Sequence, residues 1–212
     1  MVRAVVFDVG ETLIRDDRYL ASWADWLGVP QHTMSALVGA VVAQGRDNAD
    51  AVRLAKPGCD PAAEWAAREA AGCGEALTEE DLYEDVRPAL AALRSAGFWV
   101  GIAGNQSAKA AGMLRALALP CDALATSGEW GVAKPAPEFF KRVAAWAPAE
   151  PSEIVYVGDH PANDLAPARA AGMRTAHLRR GPHGHLWADA PEVAGADFRA
   201  DSLTELADTL AN

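Results

Sequence analysis

Residues 4–13 read "AVVFDVGETL", and this stretch decides the fold because a short apolar run ends at an acidic residue and a turn. The apolar run at 4–7 predicts a buried strand, and Gly10 and Glu11 predict a turn directly after it. Asp8 therefore stands at the end of the first strand. A carboxylate in that position is a candidate nucleophile or metal ligand.

Further apolar runs recur along the chain, with helical segments between them. The clear ones are "FWVGIA" at 98–103, "DALAT" at 122–126 and "EIVYV" at 153–157, and the weaker ones are "RTAHL" at 174–178 and "ADFRA" at 196–200. Strands that alternate with amphipathic helices indicate βαβ units. The predicted fold class is therefore α/β, a Rossmann-like parallel-sheet core with helices on both faces.

The interval from residue 16 to 85 carries no strand pattern. Its segments show apolar residues near the helical period, separated by Gly or Pro: "RYLASWADWLG", "PQHTMSALVGAVVAQG", "DPAAEWAAREAAG" and "TEEDLYEDV". We therefore expect an inserted all-helical domain at 16–85. The core is then discontinuous and comprises residues 1–15 and 86–212.

Composition restricts the classes of partner. The chain has 212 residues, a hydrophobic fraction of 50% and a formal net charge of −10. Such a charge argues against nucleic acid or an acidic membrane surface as a partner. The three cysteines share no metal-binding spacing, and no secretory or membrane-spanning segment is evident, so we expect a cytoplasmic protein. Nothing in the sequence indicates an oligomeric state.

Acidic residues follow two of the predicted strands. Asp159 comes directly after the strand at 153–157, as Asp8 does after the first, and the carboxyl ends of parallel strands meet in one crevice. Facing carboxylates repel, and a hard divalent cation such as Mg²⁺ relieves that repulsion. Asp164 lies five residues further on and can support the metal. Lys134 precedes a predicted helix and can offset charge on an incoming phosphate.

Four stretches together resemble the motifs of the haloacid dehalogenase superfamily, a group of hydrolases and phosphatases that use an aspartate nucleophile. In chain order they are "FDVGETL", "GIAGNQS", "GVAKPAPEFF" and "VGDHPANDLAPARAAGM". The last two match the family most closely. The inserted helices at 16–85 resemble the small helical cap that these enzymes carry between the first and second motifs.

The resemblance implies a mechanism for this chain. Asp8 would attack phosphorus in a small phosphorylated metabolite and form an aspartyl-phosphate that water hydrolyses. Lys134 would anchor the nucleophile and the phosphoryl group, and Thr12 would buttress the loop. The groups expected to hold Mg²⁺ are Asp8, the Gly10 carbonyl and Asp159, with support from Asp164.

Two positions depart from the family pattern. Gly10 replaces the second aspartate that protonates the leaving group, and Gly104 replaces a hydroxyl residue that contacts the phosphoryl group. We expect the backbone N–H groups of Asn105 and Gln106 to bind the phosphoryl oxygens instead. Glu11 is a possible replacement acid, although a solvated turn residue is the favoured interpretation.

Three alternatives stay open on the sequence. Carbon–halogen hydrolysis is one, since the superfamily's dehalogenases also lack the second aspartate, although they replace Asp159. Phosphorus–carbon cleavage through a Schiff base at Lys56 is another, but "RLAKPGCD" is more typical of a turn between helices. The third is a phosphate-binding module without catalysis, which Gly10 and Gly104 would favour.

Overall fold

A computed structural model describes all 212 residues, and its centre is a parallel sheet of six strands. The strands are β1 (Ala4–Phe7), β2 (Trp99–Gly104), β3 (Ala123–Thr126), β4 (Ile154–Gly158), β5 (Arg174–Leu178) and β6 (Phe198–Ala200). Their order across the sheet is β3-β2-β1-β4-β5-β6. The six apolar runs in the sequence therefore all form strands, and the predicted α/β fold class is confirmed.

The central strand β1 pairs with β2 on one side and β4 on the other. Alternate residues of a strand point to opposite faces. Val6 and its β4 partner Tyr156 are fully buried, and so are Val5 and its partner Val155 on the other face. Burial of both sets requires helices on both faces of the sheet. From β1 the chain adds β2 and β3 on one side of the sheet, and then β4, β5 and β6 on the other side. Such a switch between β1 and β4 leaves a crevice at the carboxyl ends of these strands.

The chain forms two compact units, and the smaller comprises Asp16–Leu77. This helical unit contains α1 (Asp17–Leu27), α2 (Gln31–Ala43), α3 (Ala49–Ala55) and α4 (Pro61–Ala70). Its own core is built from apolar side chains of the first three helices, among them Trp23, Met34 and Val52. The larger unit, called the core unit here, comprises Met1–Arg15 and Thr78–Asn212.

The second boundary of the inserted domain differs from the prediction. The structure places it between Leu77 and Thr78, rather than between residues 85 and 86. The segment that follows forms only a 3₁₀ turn at Glu79–Asp81, not the predicted helix. Leu82 then bridges to Ile14, and the Tyr83 N–H donates to the Leu13 carbonyl at 3.1 Å. These backbone contacts attach the segment to the loop after β1, so it belongs to the core unit.

Eight further helices complete the core unit. They are α5 (Val86–Ser95), α6 (Ala108–Ala116), α7 (Ser127–Trp130), α8 (Pro137–Trp146), α9 (Ala166–Ala170), α10 (Gly181–Leu186), α11 (Pro191–Ala194) and α12 (Leu203–Ala211). A π-helical turn at Pro161–Leu165 leads into α9. Phe139, Phe140 and Val143 of α8 pack on one sheet face. No helix has the length and apolar character needed to cross a bilayer.

Candidate active site

Three carboxylates meet at the carboxyl ends of β1 and β4. Asp8 follows β1, Asp159 follows β4, and the Asp8 N–H continues the strand pairing by donating to the Val157 carbonyl at 2.9 Å. One oxygen each of Asp8, Asp159 and Asp164 lies within 4.8 Å of the others. All three side chains are buried. The structure thus brings together the acidic residues that the sequence placed at strand ends.

Asp164 reaches this cluster because the chain passes very close to it at Gly158. A Cβ atom on Gly158 would lie 2.2 Å from Asp164 Oδ2, so only glycine fits there. The π-helical turn at Pro161–Leu165 presents Asp164, and the His160 N–H donates to Asp164 Oδ2 at 3.0 Å. The spacing between Asp159 and Asp164 therefore serves to fold the second carboxylate back over the end of β4.

Lys134 joins the acidic residues. Its Nζ lies 2.6 Å from Asp8 Oδ1 and 2.6 Å from Asp164 Oδ1, and it is buried. The side chain of Asn105 fixes the backbone of Lys134, since Asn105 Oδ1 accepts from its N–H at 2.8 Å and Asn105 Nδ2 donates to its carbonyl at 3.0 Å. The ring of Tyr156 lies below the ammonium, with its centroid 5.7 Å from Nζ.

Burial and mutual repulsion control the protonation of the cluster. Burial raises the pKa of Asp8 to about 6, and the Asp164 carboxylate adds to this while Lys134 opposes it. Burial, Asp164 and Asp8 together raise the pKa of Asp159 well above its ordinary value. Burial lowers the pKa of Lys134, but Asp164 and Asp8 outweigh that effect and hold it well above normal. One ammonium therefore faces three crowded carboxylates.

This donor set fits a hard divalent cation. Carboxylate oxygens are the ligands that Mg²⁺ prefers, and when all three carboxylates are ionised the single ammonium leaves two negative charges uncompensated. A dication at the cluster would balance them. Gly10 lies in the turn after β1, where it bridges to Ile14, and its role as a carbonyl ligand stays a prediction.

Contacts from distant parts of the chain hold the loop after β1. Thr12 is fully buried, its N–H donates to the Val9 carbonyl at 3.3 Å, and its own carbonyl accepts from Arg180 Nη1 at 3.0 Å. Glu11 adopts a left-handed φ of 50°, which is uncommon for a residue with a side chain. Its Oε2 accepts from Tyr83 Oη at 2.5 Å, and the Arg180 guanidinium lies 4.1 Å from the Tyr83 ring centroid.

In the loop after β2, one of the two predicted phosphoryl donors, the Gln106 N–H, is already engaged within the protein, and the role of the Asn105 N–H stays a prediction. A Cβ atom on Gly104 would lie 2.4 Å from Asp8 Oδ1, so the Asp8 carboxylate occupies the space of any side chain there. The Gln106 N–H, expected to bind a phosphoryl oxygen, donates to the Gly104 carbonyl at 3.0 Å. The side chain of Asn105 is engaged by the backbone of Lys134. This loop therefore positions Lys134 and leaves room for the Asp8 carboxylate.

Sequence reasoning missed a histidine pair beside Asp159. The rings of His160 and His183 stack with centroids 4.1 Å apart, and His183 Nδ1 lies 3.9 Å from Asp159 Oδ2. Burial lowers the pKa of His160, and its Nδ1 accepts from the Asn163 N–H at 3.3 Å, which agrees with a role within its own loop. His183 belongs to α10, whose sequence carried no signal that linked it to the strand ends.

The fold and the cluster together define a class of hydrolase. Its members have a Rossmann-like core, a buried aspartate after the first strand, and a lysine that bridges this aspartate to a second acidic motif. The family model for haloacid dehalogenase-like hydrolases matches residues 2–172. The chain belongs to this family. The resemblance of the four motifs is thereby confirmed.

Individual relatives are similar to parts of this chain. A glyceraldehyde 3-phosphate phosphatase of Methanocaldococcus jannaschii is 35% identical over 43% of this chain and 38% of that protein. Another, from Methanopyrus kandleri, is 34% identical over 60% of this chain and 56% of that protein. The chain thus spans about half the length of the latter and less of the former. A solved dehalogenase structure shares the fold, with a TM-score of 0.68 and 22% sequence identity. The match covers 100% of this chain and 98% of the dehalogenase chain.

Proposed function

We propose that the protein is a Mg²⁺-dependent phosphohydrolase that acts on a small phosphorylated metabolite through an aspartyl-phosphate on Asp8. The observation that carries the proposal is the bridge made by Lys134, 2.6 Å from both Asp8 and Asp164, beside the third carboxylate of Asp159. In this arrangement Lys134 opposes the rise in the Asp8 pKa that burial causes, and the carboxylates offer a negative site for a dication.

The reaction has two steps in this proposal. An Asp8 carboxylate oxygen attacks phosphorus, the bond from phosphorus to the leaving-group oxygen breaks, and that oxygen keeps the electron pair. Water then attacks phosphorus, releases inorganic phosphate and restores the carboxylate. Mg²⁺, held by Asp8, the Gly10 carbonyl and Asp159 with support from Asp164, would supply charge stabilisation to the phosphoryl oxygens. Lys134 orients the nucleophile and offsets charge at the same oxygens.

The names of the relatives support a phosphate monoester as substrate. Both glyceraldehyde 3-phosphate phosphatases are named for a small phosphorylated compound. The helical unit, inserted directly after Arg15, is proposed to act as the cap that selects the substrate. We also infer a cytoplasmic location, where the three free cysteines would stay reduced.

Two alternatives have less support. A dehalogenase has no use for Asp159 and Asp164 as metal ligands, and similarity to dehalogenase structures at 22% identity concerns the fold alone. A Schiff-base lysine needs a lowered pKa, whereas the side chain of Glu64, 2.5 Å from Lys56 Nζ, raises the pKa of Lys56.

The test is release of inorganic phosphate from a panel of phosphorylated metabolites, aryl phosphates and acyl phosphates, in Mg²⁺ and in EDTA. We expect turnover that requires Mg²⁺ and that falls by about 10³-fold or more in Asp8→Asn, since the nucleophile is lost. Binding of Mg²⁺ and phosphate without any turnover would instead identify a binding module. Turnover that persists in Asp8→Asn would contradict the proposed nucleophile.

A further inference from the structure

The space beside Gly10 is open toward a single polar side chain. A Cβ atom on Gly10 would have one near neighbour, Gln106 Nε2 at 3.9 Å, which is an ordinary contact distance. The φ angle of Gly10 is not in the left-handed region, so the backbone does not demand glycine there. The position that carries the second aspartate in related phosphatases is therefore vacant and is bounded by a carboxamide.

The backbone of Gln106 is fixed in this location. Its carbonyl accepts from the Gly128 N–H at 2.9 Å and from Ser127 Oγ at 3.2 Å, and its N–H donates to the Gly104 carbonyl at 3.0 Å. A Cβ atom on Gly128 would lie 2.5 Å from the Ala108 backbone nitrogen, so this close approach depends on glycine. The start of α7 thus anchors the loop.

The side-chain amide of Gln106 has no hydrogen-bond partner within the protein. It is half-buried, beside the nucleophile loop, and carries two donor hydrogens and an acceptor oxygen. A half-buried amide next to a reaction centre can therefore bond to a substrate oxygen or a water molecule. Glu11, the other candidate for the vacant space, has its carboxylate engaged by Tyr83 Oη at 2.5 Å.

An amide and a carboxylic acid differ in one respect that matters here. A carboxamide donates and accepts hydrogen bonds, but it does not give up or take a proton at neutral pH. General acid catalysis contributes about 10²–10⁴-fold, and most of this is needed when the leaving group is a strongly basic alkoxide. Carboxylate and phenolate leaving groups depart as anions with the electron pair and need no proton.

We propose that the side chain of Gln106 contacts the leaving-group oxygen and the attacking water in place of the missing aspartate, which makes the enzyme selective for acyl and aryl phosphates. This inference rests on the proposed phosphohydrolase function and specifies its substrate class. In the first step, the bond between phosphorus and the acyl or aryl oxygen breaks, and a carboxylate or phenolate leaves. In the second step, the attacking water gives its protons to solvent.

The test compares acetyl phosphate, a series of substituted phenyl phosphates and glycerol 3-phosphate in the wild type and four variants. The variants are Gln106→Ala, Gln106→Leu, which keeps the side-chain bulk, Gly10→Asp, and Asn212→Ala as a control at an exposed amide after α12. Thermal unfolding of each variant confirms that it is folded. The readouts are kcat, KM and the dependence of log kcat/KM on the basicity of the leaving group.

We expect a steep dependence on leaving-group basicity in the wild type and in Asn212→Ala. Both Gln106 variants should lose about 10-fold in kcat on acetyl phosphate, with KM changed less than kcat, because the contact is strongest in the transition state. Gly10→Asp should flatten the dependence and raise glycerol 3-phosphate turnover by about 10²-fold or more.

Two results would overturn the inference. The first is an unchanged kcat in both Gln106 variants. The second is wild-type turnover of glycerol 3-phosphate that equals turnover of acetyl phosphate. In either case, dependence on Mg²⁺ and Asp8 would leave the proposed phosphohydrolase function intact. Absence of turnover with every substrate, in Gly10→Asp as well, would overturn both proposals.

Discussion

The polar groups around Asp8 differ between the side toward β4 and the side toward β2. Toward β4, three buried carboxylates and the buried ammonium of Lys134, which bridges two of them, form a charged cluster. Toward β2, the corresponding positions are Gly10 and Gly104, and the remaining polar side chain is the amide of Gln106. Charge is concentrated on one side, and groups that transfer protons are absent from the other.

This difference separates two contributions to phosphoryl transfer. Electrostatic stabilisation and the positioning of the nucleophile usually account for most of the rate enhancement, and in the proposed mechanism the β4 side supplies both. Proton transfer contributes less, about 10²–10⁴-fold, and the β2 side lacks it. A site of this kind keeps catalysis for leaving groups that depart as stable anions and loses it for the rest.

Removal of the bridging ammonium should have the largest effect. In Lys134→Met, three buried carboxylates face one another without compensation. We expect kcat to fall by about 10²-fold or more, and the free energy of unfolding without Mg²⁺ to fall by about 3–5 kcal/mol. Urea unfolding with and without Mg²⁺ measures this, and Mg²⁺ should restore part of the stability.

The matched control is Lys141→Met. Lys141 pairs with Glu138 at 3.7 Å on the surface, where its side chain is 72% exposed, and such pairs contribute little. Equal stability of the two lysine variants would show that Lys134 does not balance the carboxylate cluster.

The second largest effect should come from low pH, which should weaken Mg²⁺ binding to the carboxylates. The pKa of Asp8 is raised to about 6, so in the absence of metal its ionised form destabilises the fold above that pH. This penalty disappears as the pH falls through about 6 toward the unfolded-state value. Mg²⁺ competes with the proton for this carboxylate. The rise in melting temperature caused by Mg²⁺ should therefore be larger at about pH 8 than at about pH 5.

The same titration in Asp8→Asn gives the control for the pH effect. Because this variant has no carboxyl at position 8 to protonate, its smaller Mg²⁺ response should vary less with pH. A response in the wild type that grows on acidification would contradict a carboxylate site for the metal.

Restoration of the family's hydroxyl on the β2 side should be harmful. The Cβ atom of Gly104→Ser would lie 2.4 Å from Asp8 Oδ1 and 3.1 Å from the Val9 backbone nitrogen, so the nucleophile must move. We expect kcat to fall by about 10-fold, because a small displacement of a reacting group is costly. Gly112→Ser is the control, since nothing lies within 4 Å of a Cβ there. A rise in kcat in Gly104→Ser would mean that the lost hydroxyl, not space, limits the reaction.

The smallest effect is expected at Glu11. Its carboxylate is engaged by Tyr83 Oη, which donates to Glu11 Oε2 at 2.5 Å. Glu11→Gln should keep kcat on acetyl phosphate within about twofold of the wild type, since no general acid is removed. A loss of about 10²-fold would identify Glu11 as the missing acid and would remove the role assigned to Gln106.

The sequence predicted all six strands of the sheet and the proximity of Asp8 and Asp159. Apolar runs followed by Asp8 and Asp159 mark strand ends, and parallel topology brings such ends together. The helix expected in "TEEDLYEDV" did not form because Leu82 and Tyr83 make backbone contacts with the loop after β1. Such contacts between distant segments outweigh local helical periodicity.

The rest of the site depends on contacts between residues far apart in the chain. Lys134 was expected near Asp8, but its equal distance to Asp164 was not. The support of Thr12 by Arg180 spans 168 residues, and no local pattern encodes it. The same holds for the stacking of His160 on His183. The sequence shows that Gly10 has no side chain, but it does not show that Gln106 borders the space beside Gly10.

The most direct test of phosphoryl transfer to Asp8 is chemical capture of the phosphoryl group on that residue. Because the β2 side supplies no base to activate water, hydrolysis of the aspartyl-phosphate should be slow enough for the intermediate to accumulate. The protein is mixed with acetyl phosphate and Mg²⁺, quenched, reduced with borohydride and digested for mass spectrometry. We predict homoserine at position 8, dependent on Mg²⁺ and absent in EDTA. Release of phosphate without modification of Asp8, or modification at a different residue, would contradict this mechanism.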